Sequence, residues 1–290
     1  MYKIGIIGNG FVGSSVAFGF SSNTGCDVED VKIYDKDNSK STHTLDKVVN
    51  DSDYIFLSVP TPSNQDGSIS LDIIYDVFKD IDNIIDYEQD FQPVILLRST
   101  VTPGTTKKIQ MNYPRLHIVF NPEFLTERSA KLDFINQARI VLGGNWGDTI
   151  KVEHLYTWRF GNYIPVIKTD FETAELIKYM CNCFFATKVS YLNEMKQLSD
   201  KIGAKWKDCV DGFSLDGRIG HSHLNVPGPD GKFGFGGSCF PKDVQAMIKF
   251  MDGLDVPVNT LKGAWETNLK VRPEQDWKKL KGRAVVDENK

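Results

Sequence analysis

One stretch of the chain brings a cysteine together with residue types that make a thiol reactive. Residues 232–243 read KFGFGGSCFPKD, in which Cys239 follows a glycine turn and Pro241 suits the first turn of a helix. Helix amides that point back towards the sulfur, with Lys242 nearby, favour the thiolate, and Asp243 could hold a water or accept a proton. Three glycines are expected to adopt positive φ and to let the backbone approach a ligand: Gly234, Gly236 and Gly237. The pattern indicates a nucleophile, and the alternative is a small core cysteine in a tight turn.

A second pair of candidate residues lies in one long helical pattern, residues 171–202, which Gly203 ends. Lys178 and Asn182 are four residues apart, so both can direct N–H donors at one oxygen, an arrangement that suits an oxyanion. The alternative is a solvated lysine on the surface of a helix. The length of the pattern predicts a spine that joins two domains, and a seam for a dimer.

The N-terminal residues combine four features of a dinucleotide-binding unit. A β-branched run, residues 3–7, leads into Gly8-Asn9-Gly10-Phe11-Val12-Gly13 and then into an apolar helix pattern. The glycines permit a tight turn, the approach of a pyrophosphate and close packing of helix on strand. Asp35 follows the next strand, where a carboxylate binds the ribose hydroxyls of NAD and repels the 2′-phosphate of NADP. A glycine turn without a ligand is the alternative, but it does not explain why all four features coincide.

Hydroxyl groups follow two further strand patterns, at the edge where the carboxyl ends of parallel strands meet. Thr61 lies between two prolines after the strand 54–59, and Thr100 lies in a hydroxyl-rich loop after the strand 94–97. The loop of Thr100 is a candidate for ligand contacts, and the alternative is that its Ser and Thr side chains cap the next helix. Thr102, in the same loop as Thr100, is instead expected to cap the next helix.

Two glutamates follow the strand pattern 116–120, in the run NPEFLTER. Glu123 and Glu127 are four residues apart, so their carboxylates face the same way if the segment is helical. Glutamates in this spacing are commonly solvated, and only the position beside the sheet edge favours a functional site.

Composition bounds the class of protein. The chain has 290 residues, a net charge of −4, a pI near 5.8 and five scattered cysteines. These values argue against a nucleic-acid partner, a membrane protein or a disulfide framework, and the sequence shows no zinc-ligand spacing. A signal peptide is not indicated, so a reducing cytoplasm is the simplest expectation. We predict an NAD-binding Rossmann domain over residues 1–170, a helical domain over 171–276, and a charged, frayed tail over 277–290.

The order of these motifs resembles the UDP-glucose/GDP-mannose dehydrogenase family. The resemblance rests on IGIIGNGFVG, Asp35, SVPTP, RSTVTPGT, NPEFLTE, ELIKYMCN, DGRIG and FGFGGSCFPKD, which span residues 1 to about 270. It implies an α/β fold, in which a doubly wound parallel sheet is joined by a long helix to a smaller, mainly helical domain. It also implies an NAD-dependent nucleotide-sugar 6-dehydrogenase that oxidises the C6 alcohol twice to a uronic acid, with UDP-glucose favoured.

The resemblance assigns roles to the catalytic candidates. Cys239 resembles a nucleophile that forms a thiohemiacetal and then a thioester, while Lys178 and Asn182 resemble the pair that stabilises the oxyanion. Asp243, helped by Thr100, resembles the partner that positions a water, and Glu123 resembles the acid/base of thioester hydrolysis. The cofactor residues implied are Gly8, Asn9, Gly10, Phe11, Val12, Gly13, Asp35, Thr61, Thr100, Glu127 and Lys242. The substrate residues implied are Glu123, Phe124, Leu125, Lys178, Asn182, Arg218, Phe235, Gly236, Gly237 and Cys239, with Arg218 reaching the substrate from a neighbouring subunit.

Two departures from the family pattern leave alternatives open. Members of the family carry a third domain that begins about where this chain ends, and Asn225 and Arg128 stand where the family has a lysine and a glycine. One alternative is therefore a catalytically weak NAD-binding dimeric scaffold. A GDP-mannose 6-dehydrogenase and a simple hydroxyacid dehydrogenase of the 3-hydroxyisobutyrate type are the others. We expect a homodimer through the long helix, a nucleotide-sugar ligand, and neither a metal, a membrane nor a nucleic acid as partner.

Overall fold

The computed structural model describes residues 1–287, which form two compact units. The first unit contains residues 1–61 and 71–178, and the second contains residues 62–70 and the chain from 179 onwards. The division therefore falls inside the long helix, after Lys178, rather than at residue 170. The last residues of the expected tail, 288–290, lie outside the described part.

The first unit is built on a seven-stranded sheet with the order β2-β1-β3-β4-β5-β6-β7. Its strands are β1 Lys3–Ile7, β2 Asp30–Tyr34, β3 Tyr54–Leu57, β4 Val94–Leu97, β5 His117–Phe120, β6 Ile140–Gly144 and β7 Val166–Thr169. The first five strands pair in parallel, which confirms the expected class of fold. β6 pairs antiparallel to β5 and parallel to β7, so the last two strands run in the reverse direction.

Helices cover both faces of this sheet, because its strands are apolar on both sides. In β3, Tyr54 and Phe56 pack on one face with residues of α1, α5 and α6, whose bounds are Phe11–Gly19, Ala130–Ile135 and Trp146–Phe160. Ile55 and Leu57 point to the other face, with α2 Leu45–Asn50, α3 Asp72–Ile84 and α4 Thr105–Asn112. The result is a three-layer α/β/α arrangement.

The position of β1 in the sheet determines where a ligand can bind. β1 lies between β2 and β3, so the strand order reverses beside it, and the loops after β1 and β3 leave in opposite directions. Ligands of open α/β sheets bind in the crevice at such a switch point, beyond the carboxyl ends of the strands. The glycine motif, Asp35 and Thr61 all follow strands at this edge.

The long helix α7 spans Phe171–Ile202, as the sequence predicted, and Gly203 follows it with φ of 71°. The second unit continues with α8 Trp206–Ser214, α9 Phe240–Asp252 and α10 Asn259–Val271. The helices α2, α5 and α6 were not predicted. None of the helices in residues 1–287 is long and apolar enough to cross a membrane.

The tail that we expected to fray is packed in the second unit as far as it is described. Trp277 is buried, and Ala284 is 1 % exposed. Ser63 bridges to Val285, donates its N–H to the carbonyl of Ala284 and accepts a hydrogen bond from Val286 N. The tail is thus anchored by a segment that lies more than two hundred residues earlier in the chain.

Candidate active site

The glycine motif forms a cradle in which each glycine meets a different requirement. A Cβ on Gly8, where φ is 90°, would lie 2.3 Å from the carbonyl oxygen of Ser58, and one on Gly13 would lie 1.9 Å from that of Gly8. These two positions are fixed by packing within the protein. A Cβ on Gly10 would have no described atom within 4 Å, so the space beside Gly10 is open for a ligand.

The start of α1 and Asp35 supply the polar groups that a dinucleotide requires. Gly10 is the N-cap of α1, and no described side chain caps that helix, so its first N–H groups point out as they do in phosphate sites. The carboxylate of Asp35 accepts the N–H of Asn9 at 2.6 Å and that of Asp37 at 2.9 Å, which holds it at the end of β2. A carboxylate has lone pairs beyond these two bonds, so Asp35 can also accept ribose hydroxyls. These residues fit NAD.

Hydrogen bonds join the loops that follow β3 and β4. Thr61 Oγ1 donates to the carbonyl of Thr100 at 2.9 Å, and Ser99 Oγ donates to the carbonyl of Val59 while accepting its N–H. Thr61 is buried, and Thr100 is half-buried. The loop that carries Thr100 is therefore a fixed wall of the first unit.

Glu123 and Lys178 form a buried ion pair. Lys178 Nζ lies 2.8 Å from Glu123 Oε1 and 2.6 Å from the Glu123 carbonyl oxygen, and the other carboxylate oxygen accepts the N–H of Leu125 at 2.7 Å. The Lys178 ammonium also lies 5.5 Å from the centre of the Phe124 ring. Residues 121–126 form an irregular loop rather than a helix, so Glu127 does not share a helix face with Glu123: Glu127 is exposed, whereas Glu123 is buried. The geometry thus joins Glu123 to the lysine through both its carboxylate and its main-chain carbonyl.

Glu175 performs the capping that we had expected of Thr102. Its carboxylate accepts the N–H of Gly104 at 2.6 Å and both the N–H and the hydroxyl of Thr106, at 2.8 and 2.6 Å. Thr102 bonds only to the Thr105 hydroxyl through its side chain and caps no backbone amide of α4. Burial raises the pKa of Glu175 to about 7, although these three hydrogen bonds favour the carboxylate. Glu175 thereby ties the loop of Thr100 to the helix that carries Lys178.

A buried arginine that the sequence analysis did not single out holds the start of the Glu123 segment. Arg98 is 1 % exposed and donates to Asn121 Oδ1 at 2.5 Å and to the hydroxyl of Tyr156 at 3.0 Å. Asn121 in turn donates to the carbonyl of Val141 at 2.9 Å. The network fixes the residue two positions before Glu123, and with it the direction in which that carboxylate enters its site.

In the second unit, Asp243 accepts hydrogen bonds from polar side chains of α7 and α9, one helical turn after the candidate nucleophile in the sequence. Its carboxylate accepts Asn182 Nδ2 at 2.6 Å and Lys242 Nζ at 2.5 Å, and all three residues are buried. Its N–H donates to the carbonyl of Cys239 at 2.9 Å, because Cys239 is the N-cap of α9. The thiol of Cys239 is half-buried and lies one helical turn before Asp243. The helix start predicted from the sequence is confirmed, and the Lys242 ammonium points to Asp243.

The loop before Cys239 is held from α10. Asn268, fully buried, binds the N–H of Phe235 through Oδ1 at 2.7 Å and its carbonyl through Nδ2 at 3.0 Å. Gly234 and Gly237 have positive φ, whereas Gly236 does not. Gly236 has a different requirement, since a Cβ there would lie 2.4 to 2.6 Å from the guanidinium of Arg272.

Arg272 is itself fixed between two acidic residues. It is 2 % exposed and forms ion pairs of 2.6 Å with Asp230 and with Asp276. These partners raise the pKa of the guanidinium, in spite of its burial. The backbone of the cysteine loop is therefore packed against an immobile charged group.

Comparison with known proteins agrees with the motifs. The NAD binding domain of the UDP-glucose/GDP-mannose dehydrogenase family matches residues 29–158, and the central domain of that family matches residues 172–270. A UDP-glucose 6-dehydrogenase of Rickettsia typhi is 34% identical over 303 residues, which covers 93% of this chain and 67% of that protein. The chain belongs to the UDP-glucose/GDP-mannose dehydrogenase family.

Two further similarities describe how much of a family protein the chain spans. An uncharacterised protein of Methanocaldococcus jannaschii is 36% identical over 284 residues, which are 87% of this chain but 31% of that protein. The structure of a UDP-glucose dehydrogenase from Pyrobaculum islandicum superposes with a TM-score of 0.79 at 26% identity, covering 93% of this chain and 68% of that one. The chain thus spans about a third to two thirds of the length of these relatives. As a UDP-glucose/GDP-mannose dehydrogenase family member, it contains the NAD binding domain, in agreement with the predicted cofactor.

The remaining site residues predicted from the family pattern have different surroundings. Phe235 is buried against the rings of Phe240 and Trp265. Arg218 is exposed and forms a two-pronged ion pair with Asp216. In residues 1–287 no group of three or more His, Cys, Asp or Glu side chains could hold a metal ion.

Proposed function

We propose that the chain is an NAD-dependent nucleotide-sugar 6-dehydrogenase, which oxidises the C6 alcohol of UDP-glucose to the carboxylate of UDP-glucuronate. The observation that carries the proposal is the arrangement around Asp243. Two buried donors, Asn182 and Lys242, hold this carboxylate one helical turn after a cysteine at the start of a helix. A cysteine nucleophile with buried polar groups one helical turn away is an arrangement that suits covalent oxidation of an aldehyde.

The proposed reaction has four steps that divide the work among these side chains. The alcohol at C6 first loses the proton of its hydroxyl and a hydride from its carbon, and becomes an aldehyde. The thiolate of Cys239 then forms a C–S bond with the aldehyde carbon, and the carbonyl oxygen becomes an oxyanion. One amide N–H of Asn182 is bound to Asp243, which leaves the second for a ligand. The ammonium of Lys178 and this second N–H stabilise the oxyanion. NAD, when bound, takes up a hydride from C6 in each of the two oxidations.

Hydrolysis of the thioester completes the reaction. After the second oxidation, a water attacks the thioester carbon, the C–S bond breaks, and the thiolate returns to Cys239. Asp243, with Thr100, is proposed to position this water, and Glu123 to take its proton. Glu123 is suited to this task because the Lys178 ammonium and the N–H of Leu125 orient its carboxylate. Covalent attachment keeps the aldehyde from leaving between the two oxidations.

Replacement of the nucleophile tests the proposal. Cys239→Ser is expected to lower the rate of NADH formation from UDP-glucose by on the order of 10⁴-fold or more, because a hydroxyl cannot form the thioester. Its affinity for NAD should be unchanged, since the glycine cradle belongs to the first unit. Cys209→Ser, at an exposed cysteine of α8, is the matched control and should retain full activity. Turnover by Cys239→Ser at the wild-type rate would exclude the mechanism.

The sugar nucleotide is identified by a panel of substrates. UDP-glucose, GDP-mannose and N-acetylated hexosamine nucleotides, each with NAD, should give two NADH per sugar for the true substrate. A nucleotide sugar that raises the melting temperature without producing NADH supports the second candidate, an NAD-binding scaffold, because any ligand of the native state alone stabilises it. The observation that favours this candidate is Asn225, which removes a positive charge expected to contact the substrate phosphates.

A homodimer is part of the proposal. The surface of α7 carries large apolar side chains that are about half or more exposed, namely Met180, Phe184, Tyr191, Leu198 and Ile202. A monomer rarely exposes such a stripe, so we place a second copy of the chain against it. Sedimentation at several concentrations should give twice the chain mass, and Phe184→Glu should shift it to the monomer. A cytoplasmic location is also proposed, because the nucleophilic thiol has to remain reduced.

A further inference from the structure

The reversed direction of β6 brings an arginine to the edge of the sheet where Glu123 lies. β6 pairs antiparallel to β5, with Phe120 opposite Gly143. Continued past the end of β5, the same register sets Arg139, the residue before β6, opposite Phe124. Residues that lie opposite each other in antiparallel strands have neighbouring side chains, so the register alone predicts that these two side chains touch.

The side chains of Arg139 and Phe124 stack. The guanidinium carbon of Arg139 lies 3.9 Å from the centre of the Phe124 ring, a contact that attracts a cation to the face of an aromatic ring. The ring also packs against the apolar cluster of Ile55 and Leu57 on one face of the sheet, while Leu125 packs against the cluster on the other face. The segment therefore cannot turn without withdrawing one of these two side chains.

The Phe124 ring is joined to the buried ion pair of Glu123 and Lys178. The Lys178 ammonium lies 5.5 Å from the centre of the ring and donates to the carbonyl of Glu123, which forms the peptide bond to Phe124. The N–H of Leu125 donates to Glu123 Oε2 at 2.7 Å. A shift of Phe124 therefore moves both groups that orient the carboxylate. We propose that Arg139 is a positioning residue, which holds the Glu123 carboxylate in place through the Phe124 ring.

Arg139 acts through the ring rather than through its charge alone. All the residues of this contact belong to the first unit. Arg139 is half-buried and takes part in a further interaction as well, so its removal changes more than one contact. The part of its effect that passes through the ring is the part that disappears when Phe124 is replaced. Arg139→Lys keeps the charge but loses the planar stacking, so it should recover only part of the effect.

Hydrogen exchange of the Leu125 amide, followed by NMR, measures the position of Glu123 without turnover, because that N–H is bound to the carboxylate. In Arg139→Met this amide should exchange about three- to tenfold faster than in the wild type. The amides of α6 should keep their wild-type rates, which shows that the fold is intact. Arg115→Met is the matched control: it removes a guanidinium that lies 3.6 Å from the centre of the Tyr87 ring, also in the first unit, and should leave the Leu125 amide unchanged.

The catalytic part of this role rests on the proposed function, in which Glu123 takes the proton of the hydrolytic water. A displaced Glu123 slows hydrolysis of the thioester but spares the two oxidations before it. Arg139→Met should therefore release about two NADH per chain in a rapid burst and then turn over about tenfold more slowly than the wild type, with the KM for NAD unchanged. Mass spectrometry of the acid-quenched protein should find the acyl group on Cys239. A loss of stability alone would lower the number of active chains and give no burst.

Arg139→Met combined with Phe124→Leu should behave as Phe124→Leu alone, both in exchange of the Leu125 amide and in turnover. Additive effects overturn the positioning role, as does a Leu125 amide that exchanges at the wild-type rate in Arg139→Met. Faster exchange without a burst and with full turnover overturns it too, since the contact then serves folding alone. If the wild type forms no NADH from any nucleotide sugar of the panel, the proposed function fails, and exchange of the Leu125 amide still decides whether Arg139 holds Glu123.

Discussion

Lys178 and Glu123 hold each other in place by two hydrogen bonds from one ammonium. Lys178 Nζ donates to the carboxylate and to the main-chain carbonyl of the same glutamate, at 2.8 and 2.6 Å, and the two side chains are only 3 % and 7 % exposed. The main-chain bond fixes the lysine independently of the charge of its partner. If both residues act as proposed, loss of either side chain will affect both stability and catalysis, and the two effects have to be separated by experiment.

A double variant separates them. Lys178→Met leaves a buried carboxylate without its cation, so we expect it to lower the free energy of unfolding by about 3 to 5 kcal/mol. Adding Glu123→Gln removes the stranded charge and should recover at least half of that loss. NADH formation should stay abolished in the double variant, because no cation remains for the oxyanion. Denaturant unfolding and steady-state turnover measure the two quantities.

The control for this buried ion pair is an exposed ion pair. Lys107→Met removes the cation that lies 2.7 Å from Glu172, where both side chains are largely solvated, and should change stability by less than about 1 kcal/mol. Recovery of turnover together with stability in the double variant would show that Lys178 serves folding alone.

The glycine cradle predicts different outcomes for two similar substitutions. Gly10→Ala places a methyl group where no described atom lies within 4 Å, so stability should change by less than about 1 kcal/mol. The same methyl group enters the space that a pyrophosphate needs, and NAD affinity measured by calorimetry should fall at least tenfold, on the order of 1.4 kcal/mol.

Gly13→Ala should behave in the opposite way. Its methyl group would lie 1.9 Å from the carbonyl oxygen of Gly8, so we expect a loss of about 2 kcal/mol or more in unfolding free energy. NAD affinity should then fall only as far as the fold is disturbed. Equal NAD affinity in Gly10→Ala and the wild type would place the dinucleotide elsewhere.

The sequence predicted those parts of the site whose determinants are local. A strand, a glycine turn and a helix follow one another within residues 3–19, and the motif itself carries the reason for its geometry. The same holds for α9, where Cys239 and Pro241 precede an apolar periodic run. In each case the residues that decide the conformation are neighbours in the chain.

The sequence did not predict the residues that hold the site together across long separations. Glu175 bonds to Gly104 across 71 residues, and Asn268 bonds to Phe235 across 33. The sequence assigned no role to Glu175, because a buried glutamate has no local signature that distinguishes it from a solvated one. The reversed direction of β6 was also not predictable from local sequence, since strand direction depends on how the connection crosses the sheet. An asparagine amid the apolar face of α10 was the one available signal for Asn268.

The raised pKa of Glu175 predicts a change of stability with pH. Because the folded protein holds this proton up to about pH 7 and the unfolded chain releases it near 4.5, the folded state binds more protons between these values. The contribution of Glu175 to stability is therefore fully present below about pH 4.5 and is lost as the pH rises through about 7. Relative to Glu175→Gln, the wild type should lose about 3 kcal/mol over this window.

Denaturant unfolding of both proteins at closely spaced pH values measures the difference. Glu172→Gln is the control on the same helix, because the hydrogen bond from Lys107 lowers the pKa of Glu172, and its effect should have the opposite sign. A constant difference between the wild type and Glu175→Gln from pH 4.5 to 7.5 would mean that the hydrogen bonds from α4 outweigh burial.

Two glycine substitutions test whether Arg272 holds the cysteine loop. Gly236→Ala sets a methyl group 2.4 to 2.6 Å from a guanidinium that Asp230 and Asp276 prevent from moving, so the loop has to shift instead. We expect a loss of about 1 to 3 kcal/mol in unfolding free energy and a fall in turnover, since the displaced backbone leads directly to Cys239.

Gly263→Ala, inside α10 with no described atom within 4 Å of its Cβ, should instead stabilise the protein by up to about 1 kcal/mol and leave turnover unchanged. Arg272→Ala removes the guanidinium that the methyl group of Gly236→Ala would meet. The double variant should nevertheless remain inactive, because Asp230 and Asp276 lose their shared cation. Full activity in Gly236→Ala alone would show that the loop adapts freely and that Arg272 does not position the thiol.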